Sequence, residues 1–213
     1  MNLCWRSVEP RALLTSLALA GCAATHAAPA LDPAGLDADV ERLMQREGVQ
    51  GLALAIIEDG EIRRVAAYGW RSVERGLPLT TETVMYGASL TKTAFAYLVL
   101  QLVDEGRLSL DATMEELLPK PLPEYEDYAD LADDERWCAL TPRIVLTHST
   151  GFANFRWLEE DGRLRFHHEP GSRYGYSGEG FYVLQLALEQ GLGLDVGREM
   201  QTRVFERFGL TRT

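Results

Sequence analysis

The chain has 213 residues, of which 46% are hydrophobic and 25% are charged, and its formal net charge is −11. This length suits one domain or slightly more, and the composition excludes collagen, low-complexity disorder and a protein with several membrane spans. The negative charge argues against a nucleic-acid partner, because neutralising phosphates needs clustered lysine and arginine. The 21 basic residues include only two lysines, Lys92 and Lys120.

Residues 1–22 have the pattern of a lipoprotein export signal. Two arginines precede an apolar run over residues 12–20, as in a signal segment, and the run is too short to span a bilayer. Leu19-Ala20-Gly21-Cys22 resembles a bacterial lipobox, which predicts lipidation of Cys22 and a periplasmic, lipid-anchored place in the cell envelope. The membrane is then contacted through the anchor only. The alternative is a plain secretory signal cut near residues 23–24 or 27–28.

Residues 23–35, which include Pro29 and Pro33, are typical of a tether. If Cys22 is lipidated, Cys138 is left as a single cysteine, and no disulfide framework exists. The alternative is a bridge between Cys22 and Cys138.

Residues 36–213 alternate helix and strand patterns. The 3.6-residue spacing of apolar residues predicts a helix over 36–47, and two apolar runs flanking Asp59-Gly60 predict a hairpin. A long helix is expected from about Ser89 to Glu105, and the acidic stretch 124–136 is expected to be exposed. The other predicted segments are strands at 51–57 and 62–70, helices at 143–148, 181–190 and 196–208, and turns at 171–180.

The helix that begins at Ser89 is apolar on nearly every side, which is typical of a helix at the centre of a domain. Its first turn nevertheless carries Lys92, where the helix dipole disfavours a cation by about 0.3–1 kcal/mol. Dipole and burial both favour the neutral amine, which can then act as a base. Because Ser89 lies three residues earlier on the same face, Lys92 can take its hydroxyl proton while the Ser89 N–H helps to hold an oxyanion.

The alternative for this pair is a helix cap followed by a lysine whose charged end reaches solvent. A serine and a lysine three residues apart also arise by chance. The scarcity of lysine in this chain and the apolar character of the helix count against this alternative, but these residues alone leave both interpretations open.

Several stretches resemble the serine β-lactamase-related family, which includes class C β-lactamases, DD-peptidases and esterases. Ser89-Leu90-Thr91-Lys92 is similar to its S-x-x-K motif. Leu146-Thr147-His148-Ser149-Thr150-Gly151 is similar to its L-x-H-x-S/T-G stretch, and residues 169–178 to the segment that carries Y-x-N. The resemblance implies an α/β fold of the β-lactamase/DD-peptidase kind, an antiparallel sheet flanked by helices.

By this resemblance Ser89 is the acylated nucleophile, Lys92 activates it, and Tyr176 shares the proton transfer as a phenol or phenolate. The pKa of Tyr176 must fall for that role, and a nearby ammonium is the natural cause. Without the family, Tyr176 is a core or turn aromatic. His148 is interpreted as a structural residue that satisfies backbone groups. No cofactor or metal is implied, since His167-His168 lacks metal-ligand spacing.

The chain departs from the family pattern in two ways. Gly178 stands where Y-x-N has asparagine, which argues against efficient β-lactam hydrolysis. The chain also stops before the third motif, K-T-G or H-x-G, so we expect a truncated member that lacks the C-terminal strands and their oxyanion donor.

The function implied for the intact protein is acyl transfer to Ser89 and hydrolysis of an amide or ester, with a β-lactam, an ester or a D-Ala peptide as substrate. The alternatives are a DD-peptidase-like cell-wall enzyme and an inactive envelope lipoprotein that binds a partner.

Overall fold

The computed structural model describes residues 32–211, which divide into two units between Thr83 and Val84. The first unit contains one helix and three strands: α1 (Pro33–Glu47), β1 (Gly51–Glu58), β2 (Glu61–Ser72) and β3 (Leu77–Pro78). The export signal, Cys22 and most of the tether fall on residues outside the described part of the chain, and those predictions stay predictions.

The predicted hairpin is confirmed. Strands β1 and β2 pair antiparallel from Gly51 opposite Gly69 to the turn, and β3 adds a short antiparallel pairing to β2. Asp59 and Gly60 both have positive φ, 52° and 78°, which is the backbone that a two-residue hairpin turn requires.

Helix α1 begins three residues earlier than the apolar spacing predicted, so residues 33–35 are helical rather than part of a tether. Pro33 occupies the first turn and the Asp32 carboxylate accepts the Ala34 N–H, two features that start a helix. Asp37 on α1 forms an ion pair with Arg64 and also accepts a hydrogen bond from the Tyr68 hydroxyl at 2.5 Å. These contacts hold the helix on β2.

The second unit is helical and contains the predicted long helix. Five α-helices are joined by 3₁₀ turns and loops, and π-helical turns extend two of them at 187–191 and 201–205. The helices are α2 (Thr91–Asp104), α3 (Met114–Leu117), α4 (Pro142–Leu146), α5 (Glu179–Leu186) and α6 (Val196–Met200).

Helix α2 is buried on one side rather than all round. Its buried residues recur at the spacing of a single helical stripe: Phe95, Leu98, Val99 and Leu102. Leu100, on another face, is 48% exposed. The expectation of a helix buried on nearly every side is therefore wrong for the residues that the structure describes. The fully buried positions form one stripe, and Ala94, Tyr97 and Val103 are only partly buried against the same core.

The acidic stretch 124–136 is also less exposed than expected. Consecutive 3₁₀ turns place Tyr128 and Leu131 in the core, at 5% and 1% exposure, while the side chains of Glu126 and Asp127 are exposed. Across residues 32–211, no helix is long and apolar enough to cross a membrane.

Candidate active site

Ser89 lies in the middle of a 3₁₀ turn, Ala88–Leu90, that leads directly into α2. The α-helix itself therefore begins two residues later than predicted. Ala88 has φ +43°, a left-handed conformation that costs an L-residue about 1–2 kcal/mol. Strain of this kind beside a reactive side chain is a recurrent feature of active sites.

Lys92 is the second residue of α2, and its Nζ lies 3.1 Å from Ser89 Oγ. The predicted pairing across one helical turn is thus present, at hydrogen-bond distance. The first hydrogen bonds of the turn are donated by Leu90 and Thr91 to Gly87 and Ala88. The Ser89 N–H precedes them, at the open start of the helix where backbone donors face outward.

Tyr176 meets both residues from the segment before α5. A hydrogen bond with Ser89 and a second with Lys92 lower the pKa of the Tyr176 phenol, although partial burial opposes them. Lys92 Nζ lies 5.1 Å from the centre of the Tyr176 ring and 5.7 Å from that of Phe181. The three residues named from the sequence therefore meet at one place, and the hydrogen bond from Ser89 joins the ammonium as a cause of the lowered pKa.

His148 follows α4 and satisfies backbone groups, as its structural interpretation predicts. Its Nδ1 accepts the Ser177 N–H at 3.1 Å, and its carbonyl accepts the Gly175 N–H at 2.7 Å. Its third contact, which no sequence pattern indicated, is a stacked arrangement with Tyr176 in which the ring centres are 4.2 Å apart.

A cleft of about 440 Å³ opens beside Ser89 and Lys92. Aromatic rings form much of its wall: Tyr86, Phe95, Phe155, Phe181 and Tyr182. Polar groups reach it from Thr91 and Gln185 as well as from the serine and lysine. A cleft with apolar walls and a few polar groups is the usual form of a small-molecule site.

The structure gives a physical reason for Gly178. A Cβ at this position would lie 2.7 Å from a ring carbon of Phe155 and 2.9 Å from the Asn154 carbonyl oxygen. The Gly178 N–H donates to the side-chain oxygen of Asn154 at 3.0 Å. Any side chain here, asparagine included, would displace the Phe155 wall of the cleft.

The Phe155 wall is anchored by a buried ion pair that the sequence did not indicate. Glu179, the first residue of α5, is 2% exposed. Its carboxylate accepts the Arg156 N–H at 2.9 Å and the Arg156 Nη2 at 2.7 Å. The two residues are 23 positions apart, so no local spacing could have paired them.

Within residues 32–211, no three histidine, cysteine, aspartate or glutamate side chains are grouped so that they could hold a metal ion. Instead, Nε2 of His167 lies 2.6 Å from Oε1 of Glu159, and Nδ1 of His168 lies 3.3 Å from the hydroxyl oxygen of Ser172. The chemistry available at Ser89 is that of a hydroxyl, an amine and a phenol.

Comparisons with known proteins agree with this arrangement. A D-aminopeptidase of Gluconobacter oxydans (strain 621H) is 26% identical over 184 residues, which cover 84% of this chain and 35% of that protein. Esterase EstB of Burkholderia gladioli is 32% identical over 127 residues, which cover 60% of this chain and 30% of that protein. The octameric penicillin-binding protein homologue from Pyrococcus abyssi superposes with a TM-score of 0.68 and 25% identity, over 85% of this chain and 44% of that one.

The chain spans about a third of the length of these two curated relatives. Over the shared part it has the predicted α/β fold of the β-lactamase/DD-peptidase kind. The family model described as Beta-lactamase matches residues 36–213, which is most of the sequence. The chain therefore belongs to the beta-lactamase family.

Proposed function

We propose that this chain carries the nucleophile of a serine hydrolase, which transfers an acyl group from an amide or ester to Ser89 and then to water. The observation that carries the proposal is the 3.1 Å contact between Ser89 Oγ and Lys92 Nζ at the mouth of an apolar cleft. A nucleophile and a base within hydrogen-bond reach, with a third group orienting them, is the arrangement that covalent catalysis needs.

In the acylation step the Ser89 hydroxyl loses its proton to the amine of Lys92 or to the phenolate of Tyr176. The lowered pKa of Tyr176 makes the phenolate available as an acceptor closer to neutral pH. Oγ then forms a bond to the substrate carbonyl carbon, and the Ser89 N–H stabilises the oxyanion. The leaving amine or alcohol departs with the proton, and water attacks the ester carbonyl in the same way to release the acid.

Five aromatic side chains line the cleft. This lining favours a substrate that has an apolar or aromatic group next to the scissile bond. The names of the relatives, a D-aminopeptidase and an esterase, support peptides with D-residues and simple esters as the first compounds to assay. Gly178 and the Phe155 ring leave no room for the asparagine of Y-x-N, which supports these classes over β-lactams.

A fluorophosphonate probe, which phosphonylates activated serines, tests the proposal on the full chain. We expect one adduct, mapped by mass spectrometry to the peptide that contains Ser89, and none in Ser89→Ala. Lys92→Met should slow labelling by about 10²-fold or more, the usual size of a general-base contribution. Ser109→Ala is the matched control, since this serine accepts the Asp111 N–H in a loop, and it should label like the original chain.

Circular dichroism must show that each variant is folded. A folded chain that never labels at Ser89 would refute the hydrolase and would favour an envelope protein that binds without turning over a substrate.

We also propose that the chain is exported and anchored in the cell envelope through a lipid on Cys22. The support is the sequence Leu19-Ala20-Gly21-Cys22 after a short apolar run. Metabolic labelling with a palmitate analogue should mark the original chain and Cys4→Ser but not Cys22→Ser. Equal labelling of Cys22→Ser, or none of the original chain, would refute the anchor.

A further inference from the structure

His148 contacts the residues on both sides of Tyr176 as well as its ring. The His148 carbonyl accepts the Gly175 N–H at 2.7 Å, and Nδ1 accepts the Ser177 N–H at 3.1 Å. The imidazole lies against the phenol ring with 4.2 Å between centres and 29° between planes. Three separate contacts therefore fix one tyrosine.

The segment around Tyr176 needs such contacts, because residues 171–178 form neither helix nor strand. Tyr176 is 38% exposed and the nearby Tyr174 is 71% exposed, so burial holds neither ring firmly. An unconstrained tyrosine side chain would leave the hydrogen bonds with Ser89 and Lys92 for much of the time, at a cost in side-chain entropy whenever it returned.

His148 is itself held in place. Its N–H donates to the Val145 carbonyl at 2.9 Å at the end of α4, and its φ is +54°. On α5 the Phe181 ring lies 5.1 Å from the imidazole. The imidazole is thus set against a helix-borne ring and can serve as a fixed support for Tyr176.

We propose that His148 is a positioning residue that holds Tyr176 against Ser89 and Lys92, and that it does so only as a neutral imidazole with its proton on Nε2. The proposal rests on the proposed function of Ser89. The imidazolium form carries protons on both nitrogens and cannot accept the Ser177 N–H. Protonation therefore removes one of the three contacts.

Burial and one neighbouring charge favour the neutral imidazole. The titratable groups that face it are Lys92 on α2 and the phenols of Tyr174 and Tyr176, while α5 presents the uncharged Phe181. Burial, and then the charge of Lys92, lower the pKa of His148. The support consequently persists through neutral pH and fails only in acid.

Two substitutions separate the contacts. His148→Phe retains a ring to stack but has no acceptor for the Ser177 N–H. His148→Asn retains a side-chain acceptor, and asparagine tolerates the left-handed backbone at this position, but the ring is lost. His167→Asn is the control, because that histidine pairs with Glu159 and takes no part in the site.

The first measurement is the rate of fluorophosphonate labelling at Ser89 against pH, at saturating and at low probe concentration. We expect the original chain to lose labelling in acid. Both His148 variants should label about 10- to 100-fold more slowly at saturating probe, the scale expected from a small misplacement of a catalytic group. The probe concentration that gives half the maximal rate should be unchanged. The decrease of the labelling rate in acid that protonation of His148 causes should be absent. Original rates and an unchanged pH profile in both variants would overturn the proposal.

The second measurement does not depend on activity. In ¹⁵N-histidine spectra the His148 Nδ1 should have the shift of an unprotonated nitrogen, and in ¹³C-tyrosine spectra the pKa of Tyr176 should move upward in both His148 variants. A protonated Nδ1, or a Tyr176 titration that neither variant changes, would overturn the positioning role. If these spectra agree while the original chain never labels, the positioning role stands and the hydrolase function falls.

Discussion

Replacing Glu179 with glutamine tests whether the buried ion pair holds the Phe155 wall of the cleft. Removing one partner of a buried pair typically costs 3–5 kcal/mol, because the other charge stays buried without compensation. The Arg156 side chain is 25% exposed and that of Glu179 only 2%, so water can recover part of the loss at the guanidinium. Glutamine can also still accept the Arg156 N–H. We therefore expect the free energy of unfolding to fall by about 2–3 kcal/mol.

For a chain of this size each kcal/mol shifts the midpoint of thermal unfolding by about 2–4 °C, so Glu179→Gln should lower it by about 4–12 °C. Urea unfolding followed by circular dichroism gives the free energy directly. Asp111→Asn is the matched control: it removes a carboxylate that also pairs with an arginine, Arg143, but both of those side chains are more than half exposed, and exposed pairs contribute little. Equal losses of the free energy of unfolding in the two variants would refute the role of burial. A Glu179→Gln chain that labels at Ser89 at the original rate would show that the Phe155 wall does not depend on the ion pair.

Three further predictions follow from single contacts. Gly151→Ala should destabilise the fold by more than about 2 kcal/mol, because φ is +94° and the new Cβ would lie 2.3 Å from the His168 carbonyl oxygen. Gly162→Ala is the control: with φ +68° and open space around the Cβ, it should cost only the free energy of the strained backbone. Urea unfolding of both variants measures the difference. Ser89→Ala should raise the pKa of Tyr176 towards that of an ordinary tyrosine, because the hydrogen bond with Ser89 is the largest cause of its depression, and ¹³C-tyrosine spectra against pH would show an unchanged value if this cause is wrong. Because the pKa of His148 is lowered in the folded chain, its contribution to stability is complete above the unfolded pKa of about 6.5 and is lost as the pH falls through the folded pKa. Urea unfolding should therefore show a lower free energy of unfolding at pH 5 than at pH 7. In His148→Asn the part of this decrease that the imidazole causes should be absent.

The sequence was most informative where the determining interactions are local. Asp59-Gly60 defines its own turn because both residues accept positive φ, and the flanking apolar runs then pair antiparallel with one shift of register between Ile56 and Ile57. The contact of Ser89 with Lys92 needs only a helical turn between them, so a spacing of three predicts that the two side chains lie within reach, and their polar atoms are 3.1 Å apart.

The sequence was least informative where residues distant along the chain meet. Tyr176 lies 28 positions after the imidazole that supports it, and neither residue carries a local mark of the other. The prediction of exposure was wrong at Tyr128 and Leu131, because acidic neighbours dominate the local composition while 3₁₀ turns direct these two side chains into the core. Periodicity rules assume regular helices or strands and do not anticipate such turns.

The lysine near the start of α2 shows how the helix and the site depend on each other. An ammonium there opposes the helix dipole, which by itself argues against a lysine. In the structure Lys92 Nζ lies 5.1 Å and 5.7 Å from the centres of two aromatic rings, Tyr176 and Phe181, and rings at this distance attract a cation by about 0.5–1 kcal/mol or more. That attraction is of the same size as the dipole cost, so the rings offset it. The ring of Tyr176 thus attracts the cation beside Ser89. The pKa of the Tyr176 phenol is in turn lowered by its hydrogen bond with Ser89 and then by the one with Lys92. Under the proposed function, the Tyr176 ring that His148 supports would therefore both stabilise an ammonium at Lys92 and take part in the proton transfer.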